Sequence, residues 1–349
     1  MNTGLTAERV DKFKKVIMGA ERGFAIIITQ VDPDAIGSAL GLAYLIKQIR
    51  GRNDVVIYYC GAISHKQNQV AMTRYGLYDV FQSIKNWKPD DNRHVILVDS
   101  SKVADARLGI ELKNSPLVVI DHHRDKDVVE TGDSFVWVED VGAASTMVVE
   151  LFTALEVDFN LLEPVIPMML ALGIRTDTDN LLRGGKRDRL AQALVENVVN
   201  EDEFRHLFNY PLPLTYYSNL RRSLEQVVQK SARLVTNIGI VPSEVGDDVS
   251  TIADLLIRQD GVSLVVVWCL LEKEKRVRVS ARNTDSSRDL GLFLRERLGP
   301  SFGAKVTEDG KGIGGGSITL DFGFWFNPDT RKETEALVSA YITSAVFRD

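Results

Sequence analysis

The apolar positions in the first 120 residues fall into short runs separated by amphipathic stretches. The runs Phe24–Ile28, Asp54–Tyr59, His94–Val98 and Leu117–Ile120 are rich in β-branched residues, which is typical of strands buried on both faces. Segments between them, such as Ile36–Ile46, follow helical spacing. Strands that alternate with helices predict a parallel sheet with both faces covered.

After Gly142 the pattern becomes mostly helical, and longer strand-like runs return after Leu234. Predicted helices cover residues 143–155, 160–174 and 187–198. A further helix of about five turns is expected from an i, i+3, i+4, i+7 stripe made by Tyr217, Leu220, Leu224, Val227 and Val228. Beyond it we predict strands at 234–241, 262–272 and 275–282 and helices at 288–298 and 330–346.

The length of the chain, 349 residues, exceeds the ~250–300 residues that one core usually serves, so two domains are expected. We place an α/β domain at 1–200, a helical connection at 201–234 and a smaller α/β domain at 235–349.

Acidic residues occur where the predicted elements of the first domain end. They are Asp32 and Asp34, Asp99, Asp121 with His122 and His123, and Asp177 with Asp179. Ligands of open α/β sheets bind beyond the carboxyl ends of the strands, so we expect these side chains to share one crevice. A divalent cation would relieve their repulsion. Carboxylate and imidazole donors without a thiolate suit manganese, magnesium or zinc, and two adjacent ions would suit phosphoryl chemistry.

An aspartate that follows a strand is also a common helix N-cap, and Asp34 is a candidate for that role. The pair His122-His123 is more specific, because the chain has five histidines and two of them are adjacent at a strand end. The order of the acidic clusters, each at the end of an apolar run, favours the metal site over four unrelated caps.

Composition narrows the classes of function. The net charge of −6 argues against a broadly basic surface that wraps nucleic acid, although a local basic groove stays open. Cys60 and Cys269 each lie in an apolar run, as buried thiols do in a reducing compartment. No run approaches the ~20 apolar residues of a membrane helix. We therefore expect a cytoplasmic protein without a membrane partner.

In the second domain, Arg276, Arg278, Ser280 and Arg282 alternate along a predicted strand and share one face. A row of guanidinium groups can hold phosphates, and the alternative is a solvated strand at a sheet edge. The cluster 312–316 of glycines would let the backbone approach an anion, although such runs are also common loops.

These motifs together resemble the DHH phosphoesterase family. The four stretches that carry the resemblance are Val31–Ser38, Asp99–Ser101, Asp121–His123 and Gly173–Thr178. In the C-terminal part, Gly314–Gly316 following Arg282 resembles the DHHA1 substrate-binding domain. The resemblance implies a Rossmann-like DHH domain with a parallel sheet and a smaller α/β DHHA1 domain.

The resemblance also implies roles. One metal would be held by Asp32 and Asp99, and a second by Asp34, Asp99, His122 and Asp177. Asp99 would bridge the two, and His123 would face the substrate phosphate. The substrate-binding residues would be Arg282, Gly314, Gly315, Gly316 and Ser317. The implied cofactor is one or two Mn²⁺ ions, with Mg²⁺ as an alternative.

The implied activity is metal-dependent hydrolysis of short single-stranded oligonucleotides or of nucleotide phosphates such as 3′-phosphoadenosine 5′-phosphate (pAp). Two positions depart from the family pattern, because Ile28 and Ser317 stand where histidines are usual. A nucleotide-binding protein of the same fold with weakened catalysis is therefore the alternative. The oligomeric state stays open, a homodimer included.

Overall fold

The computed structural model describes residues 5–63, 65–88, 92–105, 107–112, 116–123, 127–306, 312–319 and 328–348. The chain packs as two compact units. One comprises Met1–Ile63 with Gln67–Tyr210, and the other comprises Ser64–Lys66 with Pro211–Asp349. The finer domain limits 1–200, 201–234 and 235–349 stay a prediction.

The first unit is built on a six-stranded parallel sheet with the order β3-β2-β1-β4-β5-β6. Its strands are β1 (Phe24–Ile28), β2 (Val55–Tyr59), β3 (Phe81–Ser83), β4 (His94–Val98), β5 (Val118–Asp121) and β6 (Phe135–Val138). The predicted parallel sheet is confirmed. The four predicted strands lie at its centre, and the short strands β3 and β6 at its edges were not predicted.

The helices of the first unit are α1 (Ala7–Gly19), α2 (Pro33–Arg50), α3 (Lys66–Arg74), α4 (Ala144–Ala154), α5 (Val165–Asp177), α6 (Lys186–Glu196) and α7 (Glu201–Phe208). Helix α2 has recognisable ends. Pro33 occupies its first turn, where a missing N–H costs nothing, and Gly51 closes it in the left-handed conformation with its N–H on the carbonyl of Lys47.

Both faces of the sheet are covered by apolar side chains. Along β1, Phe24, Ile26 and Ile28 belong to one buried cluster. Ala25 and Ile27 belong to a second cluster on the other face. All five are fully buried, and full burial stabilises by about 1.5–3 kcal/mol for each large aliphatic or aromatic side chain. The continuous apolar run of β1 follows from this two-sided burial.

Two glycines allow α2 and α5 to touch. A Cβ atom on Gly37 would lie 2.7 Å from the backbone carbon of Met169 in α5. A Cβ atom on Gly173 would lie 2.6 Å from the Cα of Asp34 in α2. Only glycine fits at either position without moving a backbone, so the two helices are held at a fixed, short separation.

The second unit contains a six-stranded mixed sheet with the order β11-β12-β10-β9-β8-β7. Its elements are α8 (Leu214–Glu225), β7 (Val228–Lys230), β8 (Arg233–Val241), α9 (Asp248–Leu256), β9 (Leu264–Leu271), β10 (Arg276–Asn283), α10 (Leu290–Leu298), β11 (Gly303–Val306), β12 (Gly312–Thr319) and α11 (Arg331–Phe347). Strands β8 and β9 run parallel, and the other neighbours pair antiparallel. Within the described ranges, no helix combines the length and apolar character needed to cross a membrane.

The predicted five-turn helix is wrong in its extent. Helix α8 ends at Glu225, and Val228 begins strand β7, where it pairs with Val235 of β8. Tyr217 and Leu224 on the predicted stripe are each 54% exposed. The apolar spacing ran across a helix end into a hairpin, and spacing alone does not distinguish that arrangement from a longer helix.

Candidate metal centre

The loop after β1 carries the first acidic pair. Asp32 is the N-cap of α2, and its Oδ1 accepts the N–H of Ala35 at 2.9 Å. Asp34 is the second residue of the helix and is fully buried. The helix cap that the sequence suggested for Asp34 is therefore made by Asp32. The Asp34 carboxylate is free of that role and can make other contacts.

Asp34 is held by the N-terminus of α4. Its Oδ2 accepts the N–H of Ala144 at 2.8 Å, and its Oδ1 accepts the N–H of Ser145 at 2.7 Å. The first N–H groups of a helix have no partner inside the helix, and the positive end of the helix dipole favours a carboxylate. Two segments that are 110 residues apart in sequence are joined in this way.

Asp99 directly follows β4 and has a left-handed backbone with φ of +54°. Its N–H donates to the carbonyl of Ile120 at 2.9 Å, which holds it against the end of β5. The left-handed region is uncommon for residues other than glycine, and aspartate and asparagine are the side chains that tolerate it best. The turn carries Asp99 to the carboxyl edge of the sheet.

The imidazole of His122 lies at the centre of three carboxylates. Its Nε2 is 3.2 Å from Oδ1 of Asp99, 3.5 Å from Oδ2 of Asp177 and 3.8 Å from Oδ2 of Asp34. Asp177 is the last residue of α5. Two strand ends and two helix ends therefore deliver these four side chains to one point.

The other ring nitrogen of His122 fixes its orientation. Nδ1 lies 3.1 Å from the carbonyl oxygen of Val141 and donates its hydrogen there. Nε2 is then the nitrogen that faces the carboxylates and is left to bind a metal ion. This is the usual arrangement of a histidine that binds a metal, whose second nitrogen is held by a backbone carbonyl or a carboxylate.

His123 is oriented by Asp121, a residue whose role was not predicted. The Nδ1 of His123 lies 2.6 Å from Oδ1 of Asp121 and 3.7 Å from Oδ1 of Asp99. The backbone N–H of His123 also donates to Asp121, which is fully buried at the last position of β5. The available signal was an aspartate two residues before a histidine at a strand end.

Burial and the charges of neighbouring carboxylates raise the pKa values of Asp32 and Asp34. Burial, followed by the charges of Asp99 and Asp177, raises the pKa of Asp34 to about 7. The same causes, with the charge of Asp34, hold the pKa of Asp32 well above its usual value. Burial opposes the charged form of His122, but Asp99 and the neighbouring carboxylates outweigh it and raise the pKa of His122 to about 10.

The donor atoms suit a divalent cation. The ligand atoms of Asp34, His122 and Asp177 lie within 4.8 Å of one another, as do those of Asp99, His122 and His123. Among the residues described, these are the sets of three or more donors with such spacing. Buried oxygens that repel one another, together with an imidazole, match the ligands preferred by manganese and magnesium better than those preferred by a soft metal.

In the second unit, Arg282 is already neutralised. Its guanidinium pairs with Asp254 through Nε and through Nη2, the latter at 3.1 Å from Oδ2. Its Nη1 donates to the hydroxyl of Ser280 at 2.9 Å and to the carbonyl of Ala281 at 3.0 Å. Arg282 is 9% exposed, so these contacts hold a buried charge in place.

The glycine cluster forms a strand and not a turn. Gly314, Gly315, Gly316 and Ser317 lie in β12, where all four pair with β10. Gly314 and Gly315 also pair with β11 on the other side. A Cβ atom would lie 2.8 Å from Leu294 at position 314 and 2.8 Å from Phe302 at position 316. Close packing against α10 and its following loop accounts for these glycines.

Comparison with known proteins assigns the first unit. Residues 25–174 match the model of the DHH family, N-terminal domain. The chain therefore contains a DHH-family N-terminal domain. It is 25% identical over 256 residues to an uncharacterized protein of Methanocaldococcus jannaschii, covering 72% of this chain and 73% of that one. It resembles an exopolyphosphatase-related protein from Bacteroides fragilis with a TM-score of 0.72 and 12% identity, covering 99% of both chains, which extends the likeness in fold through the second unit.

The DHH domain of this chain lacks one imidazole that the family resemblance leads us to expect. Ile28 occupies the position, at the last residue of β1, and is fully buried. Gln30, the nearby amide, is exposed, and its Oε1 accepts a hydrogen bond from Arg107 at 3.2 Å. Asp32 uses one carboxylate oxygen on the cap of α2. Fewer protein donors for a metal ion therefore surround Asp32 than surround His122.

Proposed function

We propose that this protein is a divalent-metal-dependent phosphoesterase that hydrolyses short single-stranded oligonucleotides or nucleotide phosphates such as pAp. One observation carries the proposal. The carboxylates of Asp34, Asp99 and Asp177 converge on Nε2 of His122, within 3.8 Å, at the carboxyl edge of a DHH-family sheet. A carboxylate-rich site of this kind is suited to hydrolysis at phosphorus.

In this proposal Asp34, Asp99, Asp177 and His122 hold one ion. Asp32 and Asp99 serve a second ion with fewer protein ligands. A bound manganese or magnesium ion would supply an activated water and neutralise charge on the phosphate oxygens. The protein contributes the orientation of its donors, through the N-terminus of α4 at Asp34 and through the carbonyl of Val141 at His122.

His123 is proposed to contact the phosphate undergoing hydrolysis. Asp121 engages its Nδ1 at 2.6 Å, so Nε2 is the nitrogen that remains to donate to a phosphate oxygen. The side chain is 31% exposed, whereas that of Asp99 is 4% exposed. His123 can therefore meet a substrate while the Asp99 carboxylate remains shielded from bulk water.

Arg282 with Gly314, Gly315, Gly316 and Ser317 is proposed to bind a part of the substrate remote from the reacting bond. Ser317 lies opposite Arg278 in the β10·β12 ladder, so a hydroxyl and two arginines border the same face. Arg282 would exchange Asp254 for a substrate phosphate. Asp254 is the exposed member of the pair, with 54% of its side chain exposed against 10% for Arg282, so it is the partner that a phosphate would replace.

The direct test uses protein that has been freed of metal by a chelator and then loaded with manganese or magnesium. Calorimetry gives the number of bound ions, and product release from pAp, dinucleotides and pyrophosphate gives the activity. We expect one tightly bound ion per chain and hydrolysis of pAp or dinucleotides that depends on added metal. Hydrolysis that persists without divalent metal, or no metal binding at all, would contradict the proposal.

A second candidate rests on the buried Ile28. With no imidazole there, catalysis can be lost while nucleotide binding is retained, which gives a nucleotide-binding protein of the same fold. That protein would bind pAp with measurable affinity and show no turnover even at high manganese. Turnover of pAp at any manganese concentration excludes this candidate.

A further inference from the structure

The segment that follows Asp99 is firmly anchored although it lies in a loop. Asp127 accepts the N–H of Val103 at 2.7 Å and the N–H of Ala104 at 3.2 Å. Leu108 is fully buried, and its N–H donates to the carbonyl of Asp105 at 3.0 Å. Arg107 is therefore held between two fixed points at the carboxyl end of β4.

One edge of the Arg107 guanidinium is hydrogen-bonded to Asp105. Its Nε donates to both carboxylate oxygens of Asp105 at 3.0 Å, and its Nη2 donates to Oδ2 at 2.6 Å. Nη1 donates to Oε1 of Gln30 at 3.2 Å. Arginine has five N–H donors, so these contacts leave one hydrogen on each of Nη1 and Nη2. With a free hydrogen on each terminal nitrogen, the guanidinium can bind a phosphate or carboxylate in bidentate fashion.

Arg107 also lies beside the metal centre. Gln30 is two residues before Asp32, and the arginine itself is in the loop that begins at Asp99. The hydrogen bonds that Arg107 donates to Asp105 raise the pKa of Arg107 most, and the charges of Asp99 and Asp32 raise it further. The side chain is nonetheless 53% exposed, so a ligand from solvent can reach it. No motif that identified the DHH residues included this arginine.

We propose that Arg107 binds a phosphate group of the substrate in bidentate fashion at the edge of the metal centre, with Asp105 and Gln30 aiming the guanidinium. The proposal rests on the phosphoesterase function proposed above. It assigns the specificity of the first unit to substrates that carry a phosphate beside the reacting one, as pAp and short oligonucleotides do. A cation beside the carboxylate cluster offsets the repulsion between those carboxylates and such a group.

The test compares Arg107→Gln and Arg107→Lys with a matched control, Arg52→Gln. Arg52 is also 53% exposed and also pairs with an aspartate two residues away, Asp54, but it lies before β2, at the opposite edge of the sheet. We expect Arg107→Gln to raise KM for pAp by about 10- to 100-fold, the loss typical of a charge-assisted hydrogen-bonded contact, and to change kcat far less. Arg52→Gln should leave KM unchanged.

A second measurement does not depend on turnover. Calorimetry should show that adenosine 5′-monophosphate binds the manganese-loaded Arg107→Gln variant more weakly than wild type, whereas manganese itself binds no less tightly, because a positive charge has been removed near carboxylates. Arg107→Lys should recover only part of the loss, since an ammonium is a point charge without a fork. Full recovery by lysine would overturn the bidentate assignment.

The remaining outcomes separate this inference from the proposed function. If wild type hydrolyses pAp and Arg107→Gln has the same KM and the same affinity for adenosine 5′-monophosphate, the inference is wrong and the function stands. If wild type hydrolyses nothing, the function fails, and the nucleotide affinities alone decide the role of Arg107. Weaker manganese binding in Arg107→Gln would indicate a damaged loop and would overturn the inference.

Discussion

The DHH unit and the second unit balance their charged residues in opposite ways. In the first unit, Asp34, Asp99 and Asp177 surround His122, and burial with mutual repulsion raises the pKa of Asp34 to about 7. In the second, Arg282 is buried with Asp254 already against it and two further acceptors on Nη1. One cluster has an excess of like charge, and the other has its charge compensated.

The carboxylate cluster of the first unit therefore requires a bound cation, whereas Arg282 of the second unit would exchange one partner for another. The carboxylate cluster is costly unless a cation enters, so metal binding and the local fold should be linked. The Arg282 ion pair is stable by itself, and a substrate phosphate would compete with Asp254 for it. We therefore expect changes in the first unit to affect metal binding and turnover, and changes in the second to affect mainly KM.

The largest effect is expected from Asp99→Asn. Asparagine tolerates the left-handed backbone at this position, so the change removes charge and preserves shape. Manganese affinity and hydrolysis should fall together, by more than the about 100-fold upper range for residues that only support a ligand. Calorimetry and pAp hydrolysis measure both losses. Asp202→Asn, on a side chain 91% exposed in α7, is the control, and unchanged manganese affinity in Asp99→Asn would show that Asp99 is not a ligand.

Asp121→Asn comes next. Asp121 orients His123 and is outside both donor sets, so kcat should fall by about 10–100-fold while manganese affinity changes little. Steady-state kinetics at saturating manganese, together with a manganese titration, separates the two effects. Equal losses in kcat and in metal affinity would mean that Asp121 supports the metal ligands and not His123.

Arg282→Ala tests the second unit. It should raise KM for pAp by about tenfold and lower kcat less, because a contact remote from the reacting bond contributes mainly uniform binding. Asp254→Asn is the informative partner variant, since it removes the group that competes with the substrate. It should leave KM equal or lower. If both variants raise KM alike, the ion pair is only structural and the comparison between the units fails.

The smallest effect is expected from Ile28→His. An imidazole at the end of β1 would add a donor near Asp32 and raise the amount of manganese bound per chain at a given concentration. Replacing a fully buried isoleucine by a polar ring should also lower the free energy of unfolding by about 1–3 kcal/mol. Ile26→His, two residues away on the same face, should cost similar stability without added manganese. Two tightly bound ions in wild type would contradict the unequal sites.

Much of the first unit could be predicted because its signals are local. The strand Phe24–Ile28 has the predicted limits, since a continuous apolar run is what two-sided burial selects. The acidic residues at the strand ends could be grouped because parallel strands present their carboxyl ends to one edge. The edge strand β6 was not predicted, although its four residues match the length of β5, which was.

The contacts that were not predicted involve backbone groups or residues that are distant in sequence. The N–H groups of α4 that hold Asp34 are 110 residues away, and they belong to alanine and serine, whose side chains give no indication of the role. The carbonyl of Val141 that orients His122 is equally invisible in the sequence. The run Gly312–Gly316 suggested a turn because glycine favours turns, whereas here its missing side chains make room for α10.

The contact between α2 and α5 has a consequence for the size of ion that the centre accepts. Gly173 touches the backbone of Asp34, and α5 ends at Asp177, so this contact sets how far apart two of the proposed ligands lie. Magnesium requires oxygen ligands at about 2.0–2.1 Å, whereas calcium accepts about 2.3–2.6 Å. A methyl group at position 173 would force the helices apart and widen the cage. We expect Gly173→Ala to shift the preference from small ions towards calcium, so ion selectivity would reside in a residue that has no side chain.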